Sequence, residues 1–248
     1  PGIVVTDTGT LGGRFYVAGL RDPLATDPSS LLGASGFDED DVEGRWEPYL
    51  SFAPQFVVER ARALLAPPND SIAMRLENGT LVLTGEAPTA WIVEARRLAR
   101  IVPGVVAVDD HDLIDTDMVS LKRELESIVV RFETNTDEFS PGQDSALESL
   151  VGAVRRINEA AARLGVAASY EVTGRTDTTG SEATNARLSE ERARRLAAFL
   201  TERGIDSSGF RAQGVGTARP LRQGTSPEDA AFNRSVTVHV SVERNARR

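Results

Sequence analysis

The 248-residue chain predicts an α+β protein made of two small α/β sandwich domains. The first is an αββαβ unit, and the second a βαβαββ unit with helices on one face of a mixed sheet. Three observations point there. Residues 54–113 alternate helical apolar spacing with short apolar runs bounded by turn residues, and residues 128–248 alternate strand and helix patterns before a strictly alternating final strand. Charge is also split unevenly, with 18 acidic and 9 basic residues up to position 116 and 19 of each after it. A chain of this length comfortably supplies two small cores.

In PQFVVERARALL, Pro54 is a helix starter, and Phe56, Val57, Ala61, Leu64 and Leu65 follow at helical spacing. Pro67 and Pro68 stop that helix. SIAMRL and TLVLTG flank Asn78-Gly79, a strong hairpin signal because both residues tolerate positive φ. TAWIVEARRLARI reads as a second helix, and Pro103-Gly104 precedes a strand VVAV. Residues 1–25 carry a similar hairpin pattern, with Gly19 before Asp22-Pro23 much as Gly85 comes before Pro88. A partial repeat over 1–25 is one reading, and chance similarity of two glycine-ended hairpins the other. Residues 26–49 are polar and acidic, and read as a linker with a short helix around Asp40 to Trp46; the DEDD run within it reads as solvated surface rather than a metal site.

Residues 114–127, containing TDMVSLKRELES, read as an amphipathic linker helix. The pattern continues with strand 128–132, helix 143–164, strand 168–174, helix 184–203, strand 209–214 and a closing strand SVTVHVSV. In that last strand Val236, Val238, Val240 and Val242 alternate with Thr237, His239 and Ser241, which buries one face and turns His239 the other way.

Composition narrows the function. With 40% hydrophobic and 26% charged residues the chain is an ordinary globular one, and no apolar run reaches the roughly 18 residues of a membrane span. The first residues lack the basic and apolar regions of a signal peptide, so an export signal or anchor is expected upstream of residue 1. A net charge of −9 argues against a nucleic-acid partner. Cysteine is absent and the only histidines are His111 and His239, so no metal site and no cofactor is expected. His111 in DDHDL reads as a solvated acidic strand end. No phosphate loop, nucleophile elbow or paired-carboxylate arrangement stands out, which argues against an enzyme.

One residue breaks the helical pattern. Leu188, Ala193, Leu196, Phe199 and Leu200 form an apolar stripe, and Arg192 falls near its middle, with leucines at i−4 and i+4. Glu190–Arg194 and Glu191–Arg195 are expected as i,i+4 pairs on the outer face. A guanidinium aimed at the core must be paired or open to a pocket. Asp177 is the nearest acidic candidate, either as a structural clamp on Arg192 or as the second charge of an open site.

The spacing T-D-x-x-G-x-x-x-x-N-x-x-L-S-x-x-R-A, formed by Thr176, Asp177, Gly180, Asn185, Leu188, Ser189, Arg192 and Ala193, resembles the signature of the OmpA-like peptidoglycan-binding domain. FETN, SPGQDSALESL, GVGTARP and FNRSV extend the resemblance over residues 128–248. It implies a non-catalytic domain that holds the meso-diaminopimelate of a peptidoglycan stem peptide. Asp177 would take the ammonium and Arg192 the carboxylate, with Asn185, Asn135 and Thr134 as neutral neighbours and Ser189 and Arg234 in support. A stem lysine lacks that carboxylate and would bind less well. The sequence departs from the family at Arg175, often histidine, at Thr184, often aromatic, and at Ser235, where a second arginine is usual. Those differences bear on the pocket rim.

NGTLVLTGEAPTAWIVEARRLARIVPGVVAVDD, with Gly85 and Pro103-Gly104-Val105, resembles the BON module of bacterial envelope proteins. The full unit would span 54–113 within a BON-like region 1–113. Together the resemblances imply a periplasmic protein that tethers an outer-membrane or envelope assembly to the cell wall. Membrane attachment would run only through a region outside residues 1–248. The acidic first half would favour an envelope protein partner over anionic lipid. The competing reading is a periplasmic interaction scaffold whose function lies in the BON-like half, with a purely structural Asp177–Arg192 pair.

Overall fold

The computed structural model describes residues 1–28, 30, 41–224 and 226–244. It divides into two compact units, Pro1–Ile114 and Asp115–Arg248.

In the first unit, β1 (Ile3–Leu11) and β2 (Arg14–Arg21) form an antiparallel hairpin, and β3 (Val42–Pro48) lies parallel to β2. The helix expected around Asp40 to Trp46 is therefore a strand over Val42–Pro48. Pairing along β2, from Phe15↔Val42 to Arg21↔Pro48, draws this segment out as a strand, with the β-favouring Val42 and Trp46 half-buried. Asp38 to Asp40 of the acidic run lie outside the described residues.

The chain continues into α1 (Pro54–Leu65), β4 (Ala73–Glu77), β5 (Thr80–Ala87), α2 (Thr89–Ala99), β6 (Ala107–Asp109) and β7 (Leu113–Asp115). Asn78 and Gly79 both adopt positive φ, 49° and 81°, so the β4–β5 hairpin turns as its Asn-Gly pair predicts. β6 runs parallel to β5, and the short β7 also pairs with β5. Phe56, Val57, Ala61 and Leu65 of α1 and Ile92, Ala95 and Ala99 of α2 are buried, as are Leu81, Val82 and Leu83 of β5. The Trp91 indole N–H donates to the Leu65 carbonyl at 2.8 Å and satisfies an orphan acceptor at the end of α1.

The two halves of this unit share a connectivity: antiparallel hairpin, crossover, third strand parallel to the second. Gly19 and Gly85 occupy matching places. A side chain on Gly19 would strike the Val4 carbonyl oxygen at 2.0 Å, and one on Gly85 the Ser71 carbonyl oxygen at 2.2 Å. The correspondence takes in β1–β3 on one side and β4–β6 on the other. Asp22, just after β2 and fully buried, accepts from Ser51 N at 2.6 Å and Leu24 N at 3.0 Å, and forms an ion pair with Arg60 of α1. Burial opposes its ionisation, but these donors outweigh it and hold the carboxyl below the usual range.

The second unit opens with α3 (Thr116–Ser127), followed by β8 (Val129–Arg131), α4 (Asp144–Leu164), β9 (Val166–Gly174), α5 (Glu182–Glu202), β10 (Phe210–Gly214), α6 (Pro227–Asn233) and β11 (Ser235–Arg244). The strands are ordered β10-β9-β11-β8, with β10 parallel to β9 and β11 antiparallel to both its neighbours. The mixed sheet agrees with the expected class. The short α6, capped by Ser226 and started by Pro227, was not legible as a separate element.

The segment expected as a linker, 114–127, is not one. Met118 and Leu125 of α3 are buried in the same apolar cluster as Leu150, Val154 and Ile157 of α4, Leu196 and Leu200 of α5, and Val236, Val238 and Val240 of β11. Beyond Thr237, β11 no longer pairs with β8, and Glu126 of α3 caps the exposed edge. Its Oε1 accepts from Val240 N at 3.4 Å and lies 2.7 Å from His239 Nδ1. His239 is exposed on the face opposite the valines, as the alternation predicts.

α5 approaches the sheet unusually closely. A Cβ on Gly174 would lie 1.9 Å from the Ser189 carbonyl oxygen, and one on Gly214 2.4 Å from Glu190 N. Gly174→Ala and Gly214→Ala are expected to destabilise the second unit by about 1–3 kcal/mol or more, as overpacking does. Gly152→Ala, mid-helix in α4 with nothing within 4 Å of its missing Cβ, is expected to stabilise it by about 0.5–1 kcal/mol. Urea titrations of the three variants check both signs.

Candidate functional site

β8 and β9 end, and β11 begins, at the same edge of the second sheet, and α5 passes over that edge. Arg192 is carried there by its position in the α5 stripe, and it is fully buried. The periodicity predicts that burial. Its partners are another matter. The Arg192 Nε donates to the Thr136 carbonyl at 2.9 Å, Nη1 to the Arg175 carbonyl at 3.1 Å, and Nη2 to the Glu133 carbonyl at 2.7 Å. The Phe132 ring lies 5.6 Å from the guanidinium carbon. Three of the five N–H groups of an arginine are thus used on backbone.

Of the two readings of Asp177 and Arg192, the structural clamp is not formed. Asp177 Oδ2 instead accepts from Arg234 Nη1 at 2.8 Å, and Oδ1 accepts from Thr179 N at 2.9 Å in the turn leading to α5. The reason is geometric: carbonyls at the ends of β8 and β9 surround Arg192, whereas Arg234 enters from the start of β11 beside Asp177. Burial opposes ionisation of Asp177, but the Arg234 and Thr179 hydrogen bonds prevail and hold its carboxyl below the ordinary range. Arg192 is lowered to about 10, first by burial and then by Arg234, with Asp177 and Asp137 pulling the other way. It remains a cation at neutral pH.

The cluster is stitched together through the backbone. Phe132 N donates to the Arg234 carbonyl and Arg175 N to the Ser235 carbonyl, both at 2.8 Å. Arg175 spans the polar face of the sheet, with Nη1 donating to Thr237 Oγ1 at 2.8 Å and Nε to the carbonyl of Arg219 at 2.8 Å. Arg219 itself lies in the left-handed region, at φ 57°. Burial and the neighbouring Arg219 charge lower the Arg175 guanidinium.

The other sequence-predicted residues fall in three places. Asn185 is buried on α5, near Gly180. Thr134 and Asn135 are exposed at the tip of the loop that Arg192 holds, with Asn135 at φ 60°. Ser189 is fully buried, its hydroxyl donating to Ala186 O and accepting from Gly216 N, both at 2.9 Å, so it joins α5 to the loop after β10. On the outer face of α5, Glu190 pairs with Arg194 as expected. Glu191 pairs with Arg187 instead of Arg195, and the Arg195 guanidinium lies over the Phe139 ring. The sequence pointed to Arg175 only as a departure at the pocket rim, and to neither Arg219 nor the three carbonyl partners of Arg192, which carry no side-chain signal. Among the described residues no group of three or more His, Asp or Glu side chains could hold a metal ion.

By fold and site, the second unit is an α/β sandwich with a buried, arginine-rich charge cluster at one edge of its sheet. Residues 131–234 match the OmpA family, and this unit is an OmpA-like domain. Among relatives, the probable lipoprotein YiaD of Escherichia coli is 41% identical over 70 residues, 28% of this chain and 32% of its own length. The peptidoglycan-binding protein ArfA of Mycobacterium tuberculosis is 29% identical over 247 residues, which covers 95% of this chain and 73% of ArfA. The crystal structure of the peptidoglycan-associated lipoprotein from Burkholderia pseudomallei aligns with 46% of this chain and 91% of its own, at 17% identity and a TM-score of 0.40. The chain thus spans about a third of the YiaD sequence and nearly three quarters of ArfA.

Arg192→Lys is expected to destabilise the second unit by about 3 kcal/mol, because one ammonium cannot replace planar donors fixed on three carbonyls. Chemical denaturation measures it. Asp177, with its folded-state carboxyl below the unfolded value, contributes stability that is full above the ordinary aspartate pKa of about 3.9. That contribution is lost as pH falls toward the folded value. The stability gap between wild type and Asp177→Asn should therefore close as urea melts are repeated from pH 6 down to pH 3.

Proposed function

We propose that the OmpA-like domain binds peptidoglycan non-covalently, through the meso-diaminopimelate of the stem peptide, and so tethers an envelope assembly to the cell wall. The observation that carries this reading is the charge cluster where β8 and β9 end and β11 begins: a zwitterionic amino-acid end needs an anion and a cation held at fixed separation, and Asp177 with the buried Arg192 and half-buried Arg234 provides both. Each carboxylate oxygen accepts more than one hydrogen bond, so Asp177 can receive the ligand ammonium while keeping Arg234 and Thr179. The carboxylate goes to N–H groups of Arg192 not used on backbone. Asn185, Thr134 and Asn135 border the ligand as neutral hydrogen-bonding groups. The name of ArfA supports peptidoglycan as the binding partner, and those of the lipoprotein relatives an envelope-associated location.

The first unit, in this reading, is a BON-like region that docks a protein partner of the assembly. Exposed Val5, Leu11 and Phe15 on the β1–β2 hairpin support that role. The domain acts by binding and not by catalysis.

Calorimetric titration with a stem peptide containing meso-diaminopimelate, beside the lysine-containing peptide, tests the proposal. Binding of the first alone, lost in Asp177→Ala while that variant stays folded, is the expected result. Equal binding of both peptides, or no heat from either, would falsify it.

A further inference from the structure

The two hairpins of the first unit correspond strand for strand, yet their apolar faces are treated differently. With Gly19 set against Gly85, the pairing registers match Phe15 and Val17 of β2 to Leu81 and Leu83 of β5, and Val42 of β3 to Val108 of β6. In the second hairpin that face is closed. Leu81 and Leu83 are fully buried, with Met74 of β4 paired beside Leu83, and α1 packs on β4 and α2 on β5. Arg75 and Glu77, which alternate to the other face, are exposed and pair with each other. In the first hairpin the matching face is open. Phe15 is 59% and Val5 54% exposed, and Val17, Val42 and Trp46 are half-buried. Two adjoining hollows of about 440 and about 350 Å³ run along it and share Val17 and Val42, the first bordered by Thr8 and Phe15, the second by Val5 and Trp46. The reverse face of this sheet is polar: the Tyr16 hydroxyl donates to Asp7 at 2.9 Å, and Arg45 lies over the Tyr16 ring and pairs with Glu43. Among the described residues no helix stands to β1 and β2 as α1 stands to β4. An apolar sheet face contributes to stability only when another element packs on it.

We propose that the face formed by Val5, Phe15, Val17, Val42 and Trp46 is a groove for one amphipathic helix of a partner protein, seated as α1 is seated on the second hairpin. The inference rests on the reading of the first unit as a protein-docking unit and names the kind of element it takes. The pattern required is the one α1 carries, with Phe56, Val57, Ala61 and Leu65 as a buried stripe and Gln55, Glu59 and Arg62 exposed. A helix of 12 residues, the length of α1, is about 18 Å long, against roughly 13 Å of ladder from Phe15 to Gly19, so one such helix spans both hollows. Charge sets its flanks. Residues up to 116 carry 18 acidic against 9 basic side chains, and Asp27 borders the second hollow, so arginine or lysine beside the stripe is favoured over glutamate.

The probe is a peptide with the sequence of residues 54–65, held helical by a hydrocarbon staple across positions 55 and 59, both exposed on α1. It is titrated into the nitrogen-15-labelled chain beside a peptide in which the same residues are permuted to break the stripe. The chain has two tryptophans, so the Trp46 indole N–H reports on the groove, and that of Trp91, bonded to the Leu65 carbonyl, is the internal control. A saturable shift of Trp46 without Trp91 is expected, and none with the permuted peptide. Phe15→Asp, which sets an unpaired charge in the groove, should weaken binding at least about tenfold, and Arg45→Ala on the reverse face should leave it unchanged, both variants being checked for folding by circular dichroism. No shift of Trp46, a shift of Trp91 as the peptide displaces α1, or a dimer that buries Trp46 without any peptide each overturns the inference. A photoreactive benzoylphenylalanine at position 15, irradiated in cells producing the full-length protein, separates that failure from failure of the docking reading. Cross-links mapped to an amphipathic helix of a partner support the inference. Cross-links mapped to an extended segment overturn it and leave docking intact, and the absence of cross-links from positions 5, 11 and 15 overturns both.

Discussion

A guanidinium without water is the constraint around which the second unit is arranged. Arg192 is fully buried, so its N–H groups must find acceptors inside the protein. The chain supplies three main-chain carbonyls, from Glu133, Thr136 and Arg175. Those contacts fix the loop after β8 and the end of β9 relative to α5. Gly174 and Gly214 let α5 come close enough for this, and Ser189 fastens it to the loop after β10. The arginine thus serves first as a structural hub, and whatever it offers a ligand comes from donors the backbone leaves over.

Charge balance follows from the same arrangement. Because carbonyls satisfy Arg192, Asp177 is released to pair with Arg234, and the cluster keeps two guanidiniums against one buried carboxylate. The cluster offers fixed N–H donors and one held anion side by side. The cluster lies within and beside residues 131–234, the part of the chain that matches the OmpA family.

The first unit obeys a different logic. Two hairpins, each followed by a third strand parallel to the second, use glycine at the same place to let a carbonyl of the first strand, or of the segment just before it, approach. Asp22 then ties the end of the first hairpin to α1 through Arg60 and to the segment before α1 through Ser51. That buried ion pair resists removal of either partner, because each charge would be left desolvated.

Much of this was legible in the residues. Helical spacing located α1, α2, α4 and α5, the Asn78-Gly79 pair fixed a hairpin turn, and strict alternation identified β11 with His239 outward. Local signals of this kind depend on neighbours a few residues apart, so the chain carries them by itself. The strand at Val42–Pro48, the incorporation of α3 into a core, and the exchange of partners among Asp177, Arg192 and Arg234 could not be read that way. The sequence by itself determined that Arg192 would be buried and that Asp177 would stand at the turn leading to its helix. Only the tertiary structure decided which groups they meet, because the acceptors of Arg192 are backbone carbonyls that every residue possesses and that only the approach of distant chain segments brings within hydrogen-bonding reach.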